Sequence, residues 1–178
     1  MTKHYRCPEI LLGSANYGFG VDIWAAGCIF AELILGKPLL PGRDDIDQIQ
    51  CTFELLGCPS SRIWPELSSL PLVRKGAVNI NAELSKYPYN NLSAVVAPLS
   101  AEGLHFLNAL LLYDPSKRLT AETALSHPYF QSSPLPKEPS IMPTFPSTLI
   151  SASDEGQDVK RKYEDDKHKD LNRDKMRR

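Results

Sequence analysis

One helix governs what this chain can fold into. Residues 22–35 read DIWAAGCIFAELIL, apolar nearly all the way round, with Asp22 and Glu32 as the only charges. A helix hydrophobic on every side belongs in the middle of a core, so it needs partners on all its faces. Gly36 and Pro38 end it. Its apolar run, 23–31, stops at Glu32 and is too short to cross a bilayer. The partners must therefore be protein.

The chain has 178 residues, of which 42% are hydrophobic, enough for one modest core or part of a larger one. Three further helices are readable. Ile46, Ile49, Phe53 and Leu56 follow helical spacing, and Gly57 and Pro59 stop that helix. Ser100 is a good N-cap for a third, with a stripe of Leu104, Leu107 and Leu111. Thr120 caps a short fourth, closed by His127-Pro128. Between them, residues 60–99 are rich in Pro, Ser and Asn and show little periodicity. Irregular stretches of that length are functional or pack on something. No run alternates in the manner of a strand. The expected fold is mainly α with an irregular insert. The readable helices cover much of the central one but not all of it, which points to a larger domain.

Beyond the fourth helix the chain changes character. Residues 131–150 hold Pro134, Pro136, Pro139, Pro143 and Pro146, a spacing that forbids helix and suggests an extended strap. Residues 151–178 hold nine basic and eight acidic side chains. Apolar cover there is limited to Ala152, Val159, Tyr163, Leu171 and Met176, too little to offset ordering entropy, so a charged, disordered tail is expected. Lys160-Arg161-Lys162 reads as a solvated charge run in preference to a nuclear import patch. The net charge of −1 argues against a protein that coats nucleic acid. The four cysteines, Cys7, Cys28, Cys51 and Cys58, form no C-x-x-C pair, so no metal site and no disulfide framework is expected. The N-terminal residues show no apolar signal region. These features describe a soluble, intracellular chain with no membrane partner.

Five motifs stand in order along the chain: Tyr5-Arg6-Cys7-Pro8-Glu9; Val21-Asp22-Ile23-Trp24-Ala25-Ala26-Gly27; Gly36-Lys37-Pro38-Leu39-Leu40-Pro41-Gly42; Leu55-Leu56-Gly57-Cys58-Pro59; and Asp114-Pro115-Ser116-Lys117-Arg118-Leu119-Thr120-Ala121. The set resembles the lower half of the large, C-terminal lobe of eukaryotic protein kinases, from the end of the activation segment to the last helix. The resemblance implies a partial kinase domain over 1–130, followed by the strap at 131–150 and the tail at 151–178. The Y-R-x-P-E motif, the G-K-P-L-x-P-G turn and the insert after Pro59 look like the cyclin-dependent and MAP kinase group. Tyr89-Asn90-Asn91-Leu92 and Pro134-Leu135-Pro136-Lys137-Glu138-Pro139 are similar to the PITSLRE-type branch of cyclin-dependent kinases.

Residue roles follow from the resemblance one position at a time. Thr2, Tyr5 and Arg6 match the substrate-binding end of the activation segment. Arg6 matches the arginine that favours proline after the phosphoacceptor. Pro8, Glu9, Asp22 and Arg118 match structural residues of the lobe, and Asp22 matches the aspartate that bonds the catalytic loop. Glu9 and Arg118 match an ion pair. Arg suits a two-bond grip on a carboxylate better than Lys, so the pair is expected buried, with Lys117 turned to solvent. The chain departs from the branch at His4 (usually Trp), Cys7 (Ala), Leu40 (Phe) and Cys58 (Thr), and the change at His4 is expected to loosen the substrate-binding loop.

The sequence contains no glycine-rich loop, V-A-I-K lysine, H-R-D-L-x-x-x-N loop or D-F-G. Phosphoryl transfer needs those parts, so no catalytic residue and no bound cofactor is expected for this chain alone, while ATP and magnesium are implied for the whole family. A kinase of this type would act on proteins with Ser/Thr-Pro sites and take a cyclin partner, with the nucleus as the preferred location. The alternative is a non-catalytic lobe remnant acting as a protein-interaction module.

Overall fold

The computed structural model describes residues 3–143, so the tail expected at 151–178 lies outside the described residues. The chain divides into two units, Met1–Leu135 and Pro136–Arg178. Within the second, the described residues make a 3₁₀ turn at Pro139–Ile141. No strand occurs among the described residues.

The helix α1, Pro8–Leu11, opens with proline at its first position after extended Cys7. The first unit is organised around α2, Gly20–Leu35. Gly36 ends it in the left-handed region (φ 68°) and donates its N–H to Glu32 O, a conformation that favours glycine. The buried residues of α2 are Trp24, Gly27, Cys28 and Ala31, one stripe at helical spacing.

Asp45–Leu56 forms α3, capped by the Asp44 carboxylate, which accepts from Ile46 N and Asp47 N. Ile49, Phe53 and Leu56 face the core as expected, but Ile46 in the first turn is 47% exposed. The 60–99 insert is loop-rich but contains a 3₁₀ turn at Pro65–Ser69 and three short helices, α4 Pro71–Arg74, α5 Ile80–Lys86 and α6 Leu92–Val95. Asn79 caps α5 by accepting from Ala82 N. Helices this short show no periodicity, and α4 and α6 have no side-chain cap either.

Along its buried stripe α2 meets α7, Ala101–Leu110, which Ser100 caps by accepting from Gly103 N. The approach is closest at Gly27: a Cβ there would lie 2.9 Å from Leu111 Cδ2 and 3.0 Å from Leu110 Cβ. The other side of α2 is not covered by the described residues. Leu33 is 79% exposed and Ile29 48%. The all-round burial expected of this helix is thus met on one stripe only, along which α7 packs. After a 3₁₀ turn at Pro115–Lys117 comes α8, Ala121–Leu125, whose N-cap Thr120 and Thr123 bond each other's backbones reciprocally. The 3₁₀ turn Pro128–Gln131 follows.

The core centre is aromatic. Trp24, Phe53 and Trp64 are each at most 1% exposed and surround Tyr113. The Tyr113 hydroxyl donates to Gly57 O at 2.6 Å, which gives its one polar atom a partner inside the core. Burial raises its pKa well above the ordinary tyrosine value. Trp64 stacks on Tyr113 at 6.2 Å between centroids, so the insert contributes to the core as well as covering it.

Candidate functional site

Pro8 starts α1 immediately after extended Cys7, which sets Glu9 in the first turn. Arg118 follows the Pro115–Lys117 turn and is itself extended (φ −62°, ψ 150°). The structure brings these residues together, 109 positions apart, as a two-bond fork: Nη1 to Glu9 Oε1 at 2.6 Å and Nη2 to Glu9 Oε2 at 2.7 Å. Nη1 also donates to Gly20 O at 2.9 Å, Nη2 to Tyr113 O at 3.2 Å and Nε to Leu112 O at 2.7 Å. A guanidinium has five N–H donors, and the fork uses all of them. Its plane lies over the Trp24 ring, 5.0 Å from the centroid. Glu9 is 4% and Arg118 5% exposed. One side chain therefore ties together α1, the start of α2 and the loop after α7. Lys117 turns outward, 3.5 Å from Asp114 and more than half exposed.

Next to this lock lies a groove of about 760 Å³, lined among others by Tyr5, Arg6, Cys7, Tyr17, Phe19 and Asp22. Tyr5 ends the 3₁₀ turn Lys3–Tyr5, and its hydroxyl donates to Glu32 Oε2 of α2 at 2.8 Å. That bond to the carboxylate, followed by desolvation, raises the Tyr5 pKa. Arg6 Nη1 is held by Asp45 Oδ1 of α3 at 2.8 Å. Asp22 is exposed on the first turn of α2, and its carboxylate makes no hydrogen bond among the described residues. Phe19 is 92% exposed at the groove and Tyr17 67%. Cys7 is buried, and desolvation pushes its thiol up to about 12. It packs as a small hydrophobe. Thr2 lies outside the described residues. His4 meets the Tyr5 ring edge-on at 6.4 Å.

Sequence reasoning missed the two acids that hold the site, Glu32 and Asp45. Glu32 carries a usable signal: a carboxylate alone in an apolar helix needs a donor. Asp45 is hidden in an acidic run and carries none.

No group of three His, Cys, Asp or Glu side chains converges among the described residues. Among the described residues, Arg6 and Asp22 are the charged side chains that border the groove. No helix of the described residues is long and apolar enough to cross a membrane.

Comparison with known sequences bears on this arrangement. The family model of the protein kinase domain matches residues 1–130. Cyclin-dependent kinase 11A of Homo sapiens is 46% identical over 162 residues, which are 90% of this chain and 19% of that protein. Cyclin-dependent kinase 10 of Rattus norvegicus is 49% identical over 146 residues, 82% of this chain and 39% of that one. Cyclin-dependent kinase 10 of Homo sapiens is 47% identical over 161 residues, 88% and 43%. The chain thus spans less than half the length of each of these relatives.

Proposed function

Because this chain belongs to the protein kinase family, as the C-terminal part of a kinase domain of the cyclin-dependent type, we propose that it supplies the peptide-docking floor of a proline-directed serine/threonine kinase. The whole enzyme transfers the γ-phosphoryl group of ATP to Ser or Thr followed by Pro. Sequence beyond this chain supplies the nucleotide site and the catalytic loop, and a cyclin is the regulatory partner. By itself the chain neither binds Mg–ATP nor catalyses. Its place of action is the nucleus.

One observation supports this reading above the others. Arg6 is held by Asp45 beside a groove whose other wall is the start of α2, and the Glu9–Arg118 fork fixes the segment that carries it. A rigid arginine there can shape the backbone around the residue after the phosphoacceptor. Asp22, whose carboxylate has no hydrogen-bond partner among the described residues, stands on the same groove as the anchor for the catalytic loop. Thr2, Tyr5 and Arg6 serve the substrate.

Two measurements test it. Calorimetry of this chain with Mg–ATP is expected to give no saturable heat, and a saturable site overturns the inactive reading. A longer protein carrying this chain is expected to phosphorylate a Ser-Pro peptide in preference to its Ser-Ala counterpart, with Arg6→Ala erasing the preference. Equal rates on both peptides in the unaltered protein overturn the proline-directed reading.

A further inference from the structure

We propose that His105 and His127 form an acid-sensitive latch, which clamps the turn Pro128–Gln131 onto α7 at neutral pH and releases it on acidification. The two imidazoles lie with centroids 5.1 Å apart and planes at 21°. His105 Nδ1 and His127 Nε2 are 2.9 Å apart, and His127 Nδ1 accepts from the Tyr129 backbone N–H at 3.1 Å. The second contact assigns the first. A backbone N–H can only donate, so Nδ1 of His127 carries a lone pair and the proton sits on Nε2. Nε2 then donates to His105 Nδ1. The arrangement therefore requires both rings to be neutral and in one tautomer each.

A proton added at His127 Nδ1 sets two donors face to face and cancels the cap of the turn. A proton added at His105 Nδ1 does the same between the rings. His127 is only 8% exposed, so a cation there is also poorly solvated. Burial, and after it His105, lowers the pKa of His127 below the ordinary histidine value. The sign follows: the released state binds more protons. The latch is at full strength above about pH 6.5 and is lost as pH falls through the depressed folded value.

What the latch holds is aromatic cover. Tyr129 stacks on Phe106 of α7 at 5.6 Å and 6° and meets Phe30 of α2 edge-on at 5.2 Å. Phe106 also contacts His127 at 4.9 Å and Phe130 at 5.3 Å. Release of the turn would uncover the junction of α2 and α7. The other titratable groups on the surrounding elements are Glu102 on α7, Glu122 on α8, Asp22, Cys28 and Glu32 on α2 and the Tyr129 hydroxyl of the turn itself. Glu32 is engaged by Tyr5, and among the described residues no carboxylate pairs with either imidazole. His105 is solvent-exposed, so the cost of a charge falls on the buried His127 ring.

Amide hydrogen exchange of this chain, followed residue by residue from about pH 7.5 to about 5.5 and corrected for intrinsic rates, tests the proposal. Protection at residues 129–131 is expected to fall by up to about tenfold per pH unit between about pH 6.5 and the depressed folded pKa and to level off below it, while amides 24–31 of α2 keep theirs. His127→Asn supplies a side-chain oxygen that can still accept from the Tyr129 N–H but does not titrate. In that variant the dependence is expected to vanish. His105→Asn removes the second imidazole and is expected to move the midpoint to higher pH. Flat protection in the unaltered chain, equal loss in α2, or an unchanged profile in His127→Asn overturns the latch. Should His127→Asn fail to fold, an unmoved midpoint in His105→Asn overturns it instead.

Discussion

The two sides of α2 are opposites. On one, Trp24 lies fully buried beneath the Arg118 guanidinium, and that guanidinium has all five N–H groups bonded. On the other, Ile29 and Leu33 stand exposed with no cover from the described residues. Both sides are apolar in sequence, so composition does not separate them. The difference is in what the chain brings to each. The closed side receives α7, the Asp114–Thr120 loop and α1, and the open side receives none of them.

The largest effect should come from the closed side. Breaking a buried ion pair strands a charge and costs roughly 3–5 kcal/mol. Glu9→Gln and Arg118→Lys are each expected to lower stability by that order in urea unfolding. Lys117→Ala, on a solvent-exposed neighbour, should cost about 0–1 kcal/mol. Similar small losses for all three would place the fork at the surface and erase the contrast.

A smaller effect is expected at the helix crossing. Gly27→Leu inserts a side chain where a Cβ alone would already lie 2.9 Å from Leu111 Cδ2, and overpacking of this kind costs typically ~1–3 kcal/mol. Thermal melting reads it. A neutral result would mean that α7 yields freely and that the closed side is less rigid than its geometry indicates.

The smallest effect belongs to the open side. Leu33→Ser should change stability by no more than about 0.5 kcal/mol, as for other exposed positions, while reducing binding of a dye that reports apolar surface. A loss comparable to that of Glu9→Gln would show that Leu33 is covered after all.

These contrasts also mark what was legible in the sequence. Two helix starts were: Ser100 and Thr120 each bond the backbone three residues on, which is local chemistry; the Asp44 cap of α3 was not read. The Glu9–Arg118 pair was legible only through spaced motifs, since nothing local joins residues 109 positions apart. Tyr113 at the core centre was not legible, because its partners Gly57, Phe53 and Trp64 lie in other elements. Asp45 was hidden for the same reason: its link to Arg6 is tertiary. The short helices of the 60–99 insert leave no period to detect. The half-covered state of α2 was legible as an excess of apolar faces over available partners, but which half stays open depends on the packing at Gly27.

The double-mutant cycle on Glu9 and Arg118 tests the central claim most directly, since it isolates the coupling that distinguishes the closed side from the open one. Unfolding free energies of the unaltered chain, Glu9→Gln, Arg118→Lys and the double variant are the four measurements. The account predicts strong non-additivity, with a coupling of about 1–3 kcal/mol, so that the double variant loses that much less than the sum of the two single losses. Additive losses, or singles each below about 1 kcal/mol, would contradict it.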